Sequence, residues 1–408
     1  MREQKNLRYA VLFGGGAIRG LAYCGTVKAL EEIGVDAPIV AGSSVGSIFA
    51  GLYALGCSCE EIRETLMGVN YELFKDVHFS LGTFALSKGE VFLEWVREII
   101  EKKFYGNAYK KGENKAVTFS DIEKELVVIT TDLSNFQCKE FSKSATPDFE
   151  IAKAIRISCG MPGLMKPYEY NNTMLVDGDL QKSMPMWKLT ETLQPKDMRI
   201  MEIRLEGDFQ GSEKNAIEYL NSVYSYATCT GTAFIKGLYG DSDKFDYPVI
   251  NTGNLNIVDF NIPKSRREEL MQSGYEQTME YFTKELVVKK IRLGKIYSGI
   301  LKSLKSCGQN IASGKLLKAR ENILDIFVCL TDTASCVDPL DIDMLKGFKQ
   351  IFDGNFKQHI LFGRVSLIDE KSVRKSLGEV TEKFSQKIEE FRDYIQTIGK
   401  EKLPPSDV

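Results

Sequence analysis

A serine flanked by glycines lies between an apolar run and a helical pattern. The segment Gly42-Ser43-Ser44-Val45-Gly46 fits G-x-S-x-G, with Ser44 at its centre. A strand before this segment and a helix after it are the setting of a nucleophile elbow, a sharp turn that exposes the serine hydroxyl. Gly42 and Gly46 carry no side chains that could collide there. The pattern predicts Ser44 as a nucleophile, and the alternative is that it only caps the following helix.

A serine hydroxyl attacks a carbonyl efficiently only when a base takes its proton. The two histidines, His78 and His359, do not follow predicted core strands, so we expect the base to be a carboxylate. Asp177 ends a short apolar strand at a glycine turn containing Gly178. This placement predicts Asp177 at the same edge of the sheet as the serine. Asp179 is a neighbouring alternative, and Asp-Gly is also simply a common turn pair.

A glycine run follows the first predicted strand and could bind an anion through its backbone. The N–H groups of Gly14, Gly15 and Gly16, joined by that of Val45, are expected to hold the negative oxygen that forms during acyl transfer. Arg19 could fix this loop or neutralise charge. The alternative is a phosphate-binding loop, but the run lacks the lysine of a P-loop, and Arg19 replaces the last glycine of the dinucleotide motif.

Strand and helix signals alternate in the first two thirds of the chain, which predicts an α/β fold with a mainly parallel sheet. The hydrophobic patterns predict strands at 7–13, 38–41, 126–133, 137–141, 173–176, 198–205 and 248–253. They predict helices at 21–33, 45–55, 59–68, 89–104, 149–158 and about 213–240.

Strand signals fade beyond about residue 265, and helical patterns dominate to the end. We therefore expect a catalytic domain at 1–285 and a helical accessory or regulatory region at 286–408. The stretch 284–320 is basic, with one acidic residue, Glu285, and its apolar residues fall on one helical side. Such a helix can lie peripherally on anionic lipid or pack its apolar side on its own domain.

Composition narrows the classes of partner and compartment. A net charge of −3 gives no global field that would favour a nucleic acid polymer. The uncharged stretch 37–59 is long enough to cross a membrane, but Pro38 and repeated glycines divide it into a strand and a helix. The N-terminus lacks a secretory signal, so we expect a cytoplasmic protein.

The cysteine and histidine patterns argue against a metal site or a disulfide framework. The nine cysteines are odd in number and irregularly spaced, which favours reduced thiols. Cys57 and Cys59 do not have the spacing of common zinc ligands. We expect neither a metal nor another cofactor.

Three of these motifs together resemble those of the patatin-like phospholipase family. GGGAIRG resembles the oxyanion motif of that family, GSSVG its nucleophile elbow and DGD its aspartate motif. The segments 118–142 and 154–170 are also similar, and the resemblance extends over about residues 7–282. It implies a three-layer α/β/α fold, a Ser44–Asp177 dyad and hydrolysis of phospholipid acyl esters, of the phospholipase A or lysophospholipase type. It implies no cofactor.

The resemblance has one departure and leaves three functions open. Asp179 stands where the family usually has glycine or alanine, which brings a second carboxylate near Asp177. Besides a phospholipase, the sequence is compatible with a storage or binding protein of weak activity and with an esterase for other acyl groups. A protein or small-molecule activator is a further open point.

Overall fold

The computed structural model divides into two compact units, which we describe separately. The first unit comprises Met1–Gly240 with Phe245–Met279, and the second comprises Asp241–Lys244 with Glu280–Val408. The structure describes residues 7–69, 77–80, 85–181, 198–207, 219, 222–223, 226, 232–255, 261–359 and 364–398. Most of the helix predicted at 213–240 therefore lies outside the described residues.

The strands of the first unit are β1 (Leu7–Phe13), β2 (Val35–Ser43), β3 (Val77–Ser80), β4 (Ala85–Ser87), β5 (Glu125–Asp132), β6 (Gln137–Ser142), β7 (Tyr168–Tyr170), β8 (Thr173–Asp177), β9 (Arg199–Glu206), β10 (Phe245–Asp246) and β11 (Val249–Asn251). Nine of them form one sheet in the order β10-β9-β1-β2-β5-β8-β7, with β11 also paired to β9 and β6 to β5. The remaining two, β3 and β4, form a separate hairpin that the sequence patterns did not indicate.

The sheet is mainly parallel, as predicted. Strand β1 pairs in parallel with β2 and β9, and β2 pairs in parallel with β5. Beyond β5 the direction changes, because β6 and β8 both run antiparallel to it. The strand that carries Asp177 is thus antiparallel, whereas the sequence argument placed this residue by the geometry of parallel strands.

Helices cover both faces of the sheet and give the predicted three layers. They are α1 (Ala22–Ile33), α2 (Val45–Ala54), α3 (Cys59–Met67), α4 (Glu90–Tyr105), α5 (Ile151–Ser158), α6 (Thr232–Tyr239) and α7 (Lys264–Glu280). On one face the ring of Phe13 packs against Tyr23 of α1, with 5.2 Å between ring centroids, and Tyr23 packs against Phe49 of α2. On the other face Leu12 belongs to a core cluster with Ile235 of α6.

Helices α1 and α7 cross with their backbones in contact. A Cβ atom at Gly25 would lie 1.8 Å from the carbonyl oxygen of Met271, and one at Gly274 would lie 2.0 Å from that of Ala22. Neither position can therefore carry a side chain at this separation. The crossing joins a late segment of the first unit to one of its earliest helices.

The second unit is mostly helical, in agreement with the predicted C-terminal region. A π-helical turn at Tyr281–Glu285 leads into α8 (Leu286–Ala312), followed by α9 (Leu316–Thr333), α10 (Pro339–Asn355) and α11 (Glu370–Ile398). A two-stranded hairpin, β12 (Phe356–His359) and β13 (Arg364–Leu367), interrupts the helices where only helical patterns were expected.

The apolar side of the basic helix α8 is buried within the second unit. Its buried residues include Leu286, Leu293, Ile300 and Leu304. Lys290 is also buried, with its ammonium group 4.9 Å from the ring centroid of Phe391. The side of α8 left exposed carries Lys295, Lys302 and Lys305. Of the two alternatives for this helix, packing on its own domain is the one seen for its apolar residues.

Three buried aspartates surround one lysine inside the second unit. The Lys387 ammonium lies 2.7 Å from Asp243, 3.8 Å from Asp341 and 3.9 Å from Asp338. The Tyr297 hydroxyl donates a hydrogen bond to Asp341 at 2.8 Å. Because buried carboxylates are costly unless paired, Lys387 is the counter-ion on which this cluster depends.

The two histidines lie outside the nine-stranded sheet, His78 in β3 and His359 in β12. The eight cysteines among the described residues are free thiols. Within the same part of the chain we find no helix whose length and apolar character would let it cross a membrane.

Candidate active site

Ser44 lies at a sharp turn between β2 and α2, with a strained backbone. Its φ of 51° and ψ of −135° are unusual for a residue other than glycine. Side chains hold both of its backbone groups: its N–H donates to Ser158 Oγ at 2.9 Å, and its carbonyl accepts from Ser47 Oγ at 2.6 Å. Ser158 in turn donates to the Ile129 carbonyl at 2.6 Å. These bonds hold the backbone in the strained conformation.

The glycines of the G-x-S-x-G segment lie where no side chain fits. A Cβ atom at Gly42 would lie 2.3 Å from the Gly46 carbonyl oxygen, and one at Gly46 would lie 2.1 Å from that of Phe13. A Cβ atom at Gly178, beside Asp177, would lie 2.1 Å from the Ile129 carbonyl oxygen. All three glycines therefore permit close backbone approach.

The structure brings Ser44 and Asp177 together across strand β5. Ser43 pairs with Ile129 on one side of this strand, and Thr130 pairs with Asp177 on the other. The Ser44 hydroxyl donates a hydrogen bond to Asp177 Oδ2 at 2.8 Å. Asp177 is fully buried and Ser44 is 5% exposed. A carboxylate at this distance is within reach of the proton that a serine nucleophile must lose.

Of the four backbone N–H groups expected to bind an oxyanion, two already donate hydrogen bonds within the protein. The Gly14 N–H donates to the Ile203 carbonyl at 2.9 Å, and the Gly15 N–H donates to Asp179 Oδ1 at 2.9 Å. Among the described residues, the N–H groups of Gly16 and Val45 have no hydrogen-bond partner. Gly16 and Val45 are therefore the better candidates for donors to a bound substrate.

Asp179 links the glycine loop to the serine turn. Its Oδ1 atom also accepts a hydrogen bond from Ser43 Oγ at 2.7 Å, and the residue is 2% exposed. Its own N–H donates to Asp177 Oδ1 at 2.8 Å. Burial raises the pKa of the Tyr23 phenol, and the charge of Asp179 raises it further. The sequence named Asp179 as an alternative to Asp177 but did not predict its contact with the glycine loop.

Arg19 anchors the end of the glycine loop rather than pointing at the serine. Its Nε and Nη2 atoms donate to the Leu255 carbonyl at 3.0 Å and 2.7 Å. The side chain is 2% exposed. This contact agrees with the expected role of fixing the loop.

An apolar cavity of about 100 Å³ lies beside Ser44 and Asp177. Its wall is formed largely by apolar side chains, among them Ile18, Leu21, Ile48, Phe92, Trp95 and Met161. Cys159 also lines it, but burial raises the pKa of this thiol and the charge of Asp177 raises it further. The thiol is therefore protonated at neutral pH and is a poor second nucleophile.

Two residues of the site had no role in the sequence prediction. Ser158 ends α5 in a stretch noted only for its similarity to a family, and Ser47 follows the elbow within an apolar helix. Their only sequence signal is a hydroxyl among apolar neighbours, which is too common to identify a function.

Comparison with known proteins assigns this domain. The family model described as patatin-like phospholipase matches residues 11–189. Residues 11–189 belong to the patatin-like phospholipase family. This is a family of lipid acyl hydrolases, and the predicted membership is confirmed. The matched segment contains the glycine loop, the serine turn and Asp177.

Individual relatives and a solved structure are similar to this chain over segments of different length. An uncharacterised protein of Acanthamoeba polyphaga mimivirus is 28% identical over 291 residues, which cover 69% of this chain and 96% of the relative. Lysophospholipase NTE1 of Kluyveromyces lactis is 27% identical over 186 residues, 44% of this chain but 12% of that protein. The crystal structure of VipD from Legionella pneumophila, 15% identical, matches with a TM-score of 0.50 over 98% of this chain and 93% of VipD, which shows a shared fold.

Proposed function

We propose that this patatin-like protein hydrolyses acyl esters of phospholipids or lysophospholipids, with Ser44 as nucleophile and Asp177 as base. The observation that carries the proposal is the 2.8 Å hydrogen bond from Ser44 Oγ to Asp177 beside an apolar cavity. A storage or binding role would not require a strained serine paired to a buried carboxylate. The similarity to a protein named lysophospholipase supports the same substrate class.

In the first half of the reaction, Ser44 Oγ attacks the ester carbonyl carbon while its proton passes to Asp177. The carbonyl oxygen becomes negative, and the N–H groups of Gly16 and Val45 stabilise it as hydrogen-bond donors. The tetrahedral intermediate then collapses, the bond to the alcohol oxygen breaks, and Asp177 returns the proton to that oxygen. The lysolipid or glycerol fragment leaves, and the acyl group remains esterified to Ser44.

In the second half, Asp177 takes a proton from a water molecule, whose oxygen attacks the acyl carbon. The second tetrahedral intermediate uses the same N–H donors. When it collapses, Asp177 protonates Ser44 Oγ and the free fatty acid leaves. The balance is one water consumed and one ester bond broken, and no cofactor takes part.

The cavity wall supports an acyl chain as the bound group. Burying a methylene group stabilises a complex by about 0.8 kcal/mol, so an apolar wall beside the nucleophile favours a hydrocarbon chain over a polar acyl group. The exposed lysines of α8 would give a cytoplasmic protein a peripheral contact with anionic lipid.

The proposal is tested by labelling and by fatty-acid release. The protein is treated with a fluorophosphonate probe and the adduct is mapped, and fatty-acid release from phospholipid vesicles is measured for the wild type, Ser44→Ala and Asp177→Asn. We expect the label on Ser44 and a loss of release in both variants. Ser120→Ala, which alters an exposed hydroxyl, is the matched control and should behave as the wild type.

The possible outcomes distinguish the functions that the sequence left open. Label on another residue, or full release by Ser44→Ala, would overturn the assignment of the nucleophile. Label on Ser44 with turnover of small esters but not of phospholipids would favour an esterase. A correctly folded protein that takes no label would favour a storage or binding role.

A further inference from the structure

The indole of Trp95 borders two spaces in the first unit. Trp95 belongs to α4, is half-buried, and lines the apolar cavity beside Ser44. It also lines a groove of about 810 Å³ between α3 and α4. Among the described residues, it is the only one that lines both spaces.

The indole packs against a neighbour on the same helix. The ring of Phe92, one turn earlier in α4, also lines the cavity and lies 5.9 Å from that of Trp95, centroid to centroid. Residues three apart on a helix lie on the same side, so the two rings form one continuous piece of the cavity wall. The indole of Trp95 is therefore part of the wall of both the cavity and the groove.

The groove on the far side of Trp95 can accept a hydrocarbon chain. Its walls include the apolar side chains of Leu52, Val91 and Ile99. Four of its five charged groups form ion pairs, since Lys103 lies 2.6 Å from Glu61 and Lys102 lies 2.6 Å from Glu98. The fifth charged group is the exposed carboxylate of Glu64. Because the charge in excess is negative, the groove does not favour an anionic phosphate headgroup, and apolar contact is the main interaction it provides to an acyl chain.

We propose that Trp95 limits the length of the acyl chain that fits in the cavity when the acyl carbon lies at Ser44. The inference rests on the proposed acyl hydrolysis and names the specificity-determining residue of that reaction. An acyl chain that starts at Ser44 gains apolar contact with each methylene until its end reaches the indole. Longer chains gain nothing more, because Trp95 prevents them from continuing into the groove.

This proposal predicts a definite dependence of kcat/KM on chain length. Each methylene that enters the cavity should raise kcat/KM about fourfold, the equivalent of about 0.8 kcal/mol. In the wild type the increase should stop at one chain length. In Trp95→Ala the cavity and the groove become continuous, so the increase should extend over further methylenes, and the ratio of long-chain to short-chain kcat/KM should rise at least about tenfold.

The test uses p-nitrophenyl esters from butanoate to hexadecanoate, presented in detergent micelles. Wild type, Trp95→Ala and Trp95→Phe are compared, and the phenylalanine variant, which keeps an aromatic wall, should stay close to the wild type. Val91→Ala is the matched control, because Val91 lines the groove but not the cavity. Its chain-length optimum should be that of the wild type.

An unchanged optimum in Trp95→Ala, or a change in kcat/KM by the same factor at every length, would overturn the inference. If Trp95→Ala melts well below the wild type, Trp95→Leu provides the same comparison with a smaller loss of packing. Ser44→Ala separates the two proposals. Full ester turnover by that variant contradicts the proposed function, whereas loss of turnover there with an unshifted optimum in the Trp95 variants contradicts only the role of Trp95.

Discussion

The Asp179 carboxylate accepts a hydrogen bond from the Gly15 N–H at 2.9 Å, within the loop that the proposed reaction uses to bind an oxyanion. The same oxygen accepts the Ser43 hydroxyl, so one buried atom holds the glycine loop and the serine turn together. A carboxylate in this place both orients the loop and occupies one of its donors. The proposed oxyanion site therefore uses the N–H groups of Gly16 and Val45 and not that of Gly15.

Replacing Asp179 should test whether its hydrogen bonds position the glycine loop for the proposed reaction. Asp179→Ala leaves the Gly15 N–H and the Ser43 hydroxyl without their acceptor, so we expect kcat to fall about 10- to 100-fold through misplacement of the loop, with little change in KM. Asp179→Asn keeps an acceptor oxygen and should recover most of kcat. Steady-state kinetics on a soluble ester, normalised to the fraction labelled by fluorophosphonate, provides the measurement. Equal kcat values in both variants would show that Asp179 does not position the loop.

The strained backbone of Ser44 predicts a gain in stability when strain is relieved. Ser44→Gly and Ser44→Ala both remove the hydroxyl, but only glycine adopts a φ of 51° with a ψ of −135° easily. We expect Ser44→Gly to be more stable than Ser44→Ala by about 1 kcal/mol. Urea unfolding of the two variants measures this difference directly. A less stable glycine variant would mean that the surrounding hydrogen bonds impose no strain on this residue.

The exposed lysines of α8 predict how the protein would bind a membrane. Changing Lys295, Lys302 and Lys305 to glutamate should weaken binding to anionic vesicles by at least about 3 kcal/mol at low salt, since each basic residue near such a surface contributes about 1 kcal/mol and the new carboxylates are repelled. Cosedimentation with vesicles at several salt concentrations measures the effect. The matched control changes three exposed lysines of α11, Lys371, Lys375 and Lys383, and alters the net charge equally. Equal losses in both variants would indicate attraction by overall charge rather than by this side of α8.

The aspartate cluster of the second unit predicts a strong effect of Lys387. Lys387→Met removes the ammonium group from among three aspartates, and we expect a loss of about 3–5 kcal/mol in the free energy of unfolding. Lys375→Met, on the same helix but 81% exposed in its side chain, should change stability by less than about 1 kcal/mol. Thermal and urea unfolding compare the two. A stable Lys387→Met protein would show that the aspartates do not depend on this lysine.

Local sequence patterns predicted much of the first unit because the signals lie within short segments. The turn at Ser44 is defined by two glycines and an apolar strand, and most predicted strands agree with the observed ones to within a few residues. The direction of β8 was missed, since no local pattern records which way a strand pairs. The hairpin β3–β4 was missed because its strands are only four and three residues long.

Contacts between distant segments account for the rest of what the sequence did not predict. Ser158 reaches the Ser44 backbone from 114 positions along the chain, and Asp179 reaches Gly15 from 164. The apolar side of the basic stretch 284–320 could have bound lipid or packed within its own domain. Which of the two occurs depends on the helices that follow it in the chain. Such contacts depend on tertiary packing and leave no periodic signal in either partner.

The glycine crossing between α1 and α7 limits how short an active fragment can be. The segment that the family model matches ends at residue 189, before β9 and α7 begin. A protein cut there would leave the hydrogen-bonding edge of β1 bare and uncover α1, which packs behind the serine turn. Ribosomal synthesis must therefore run to about residue 279 before Ser44 has its full support, and gene fusions designed to carry the proposed activity must include the same length of coding sequence.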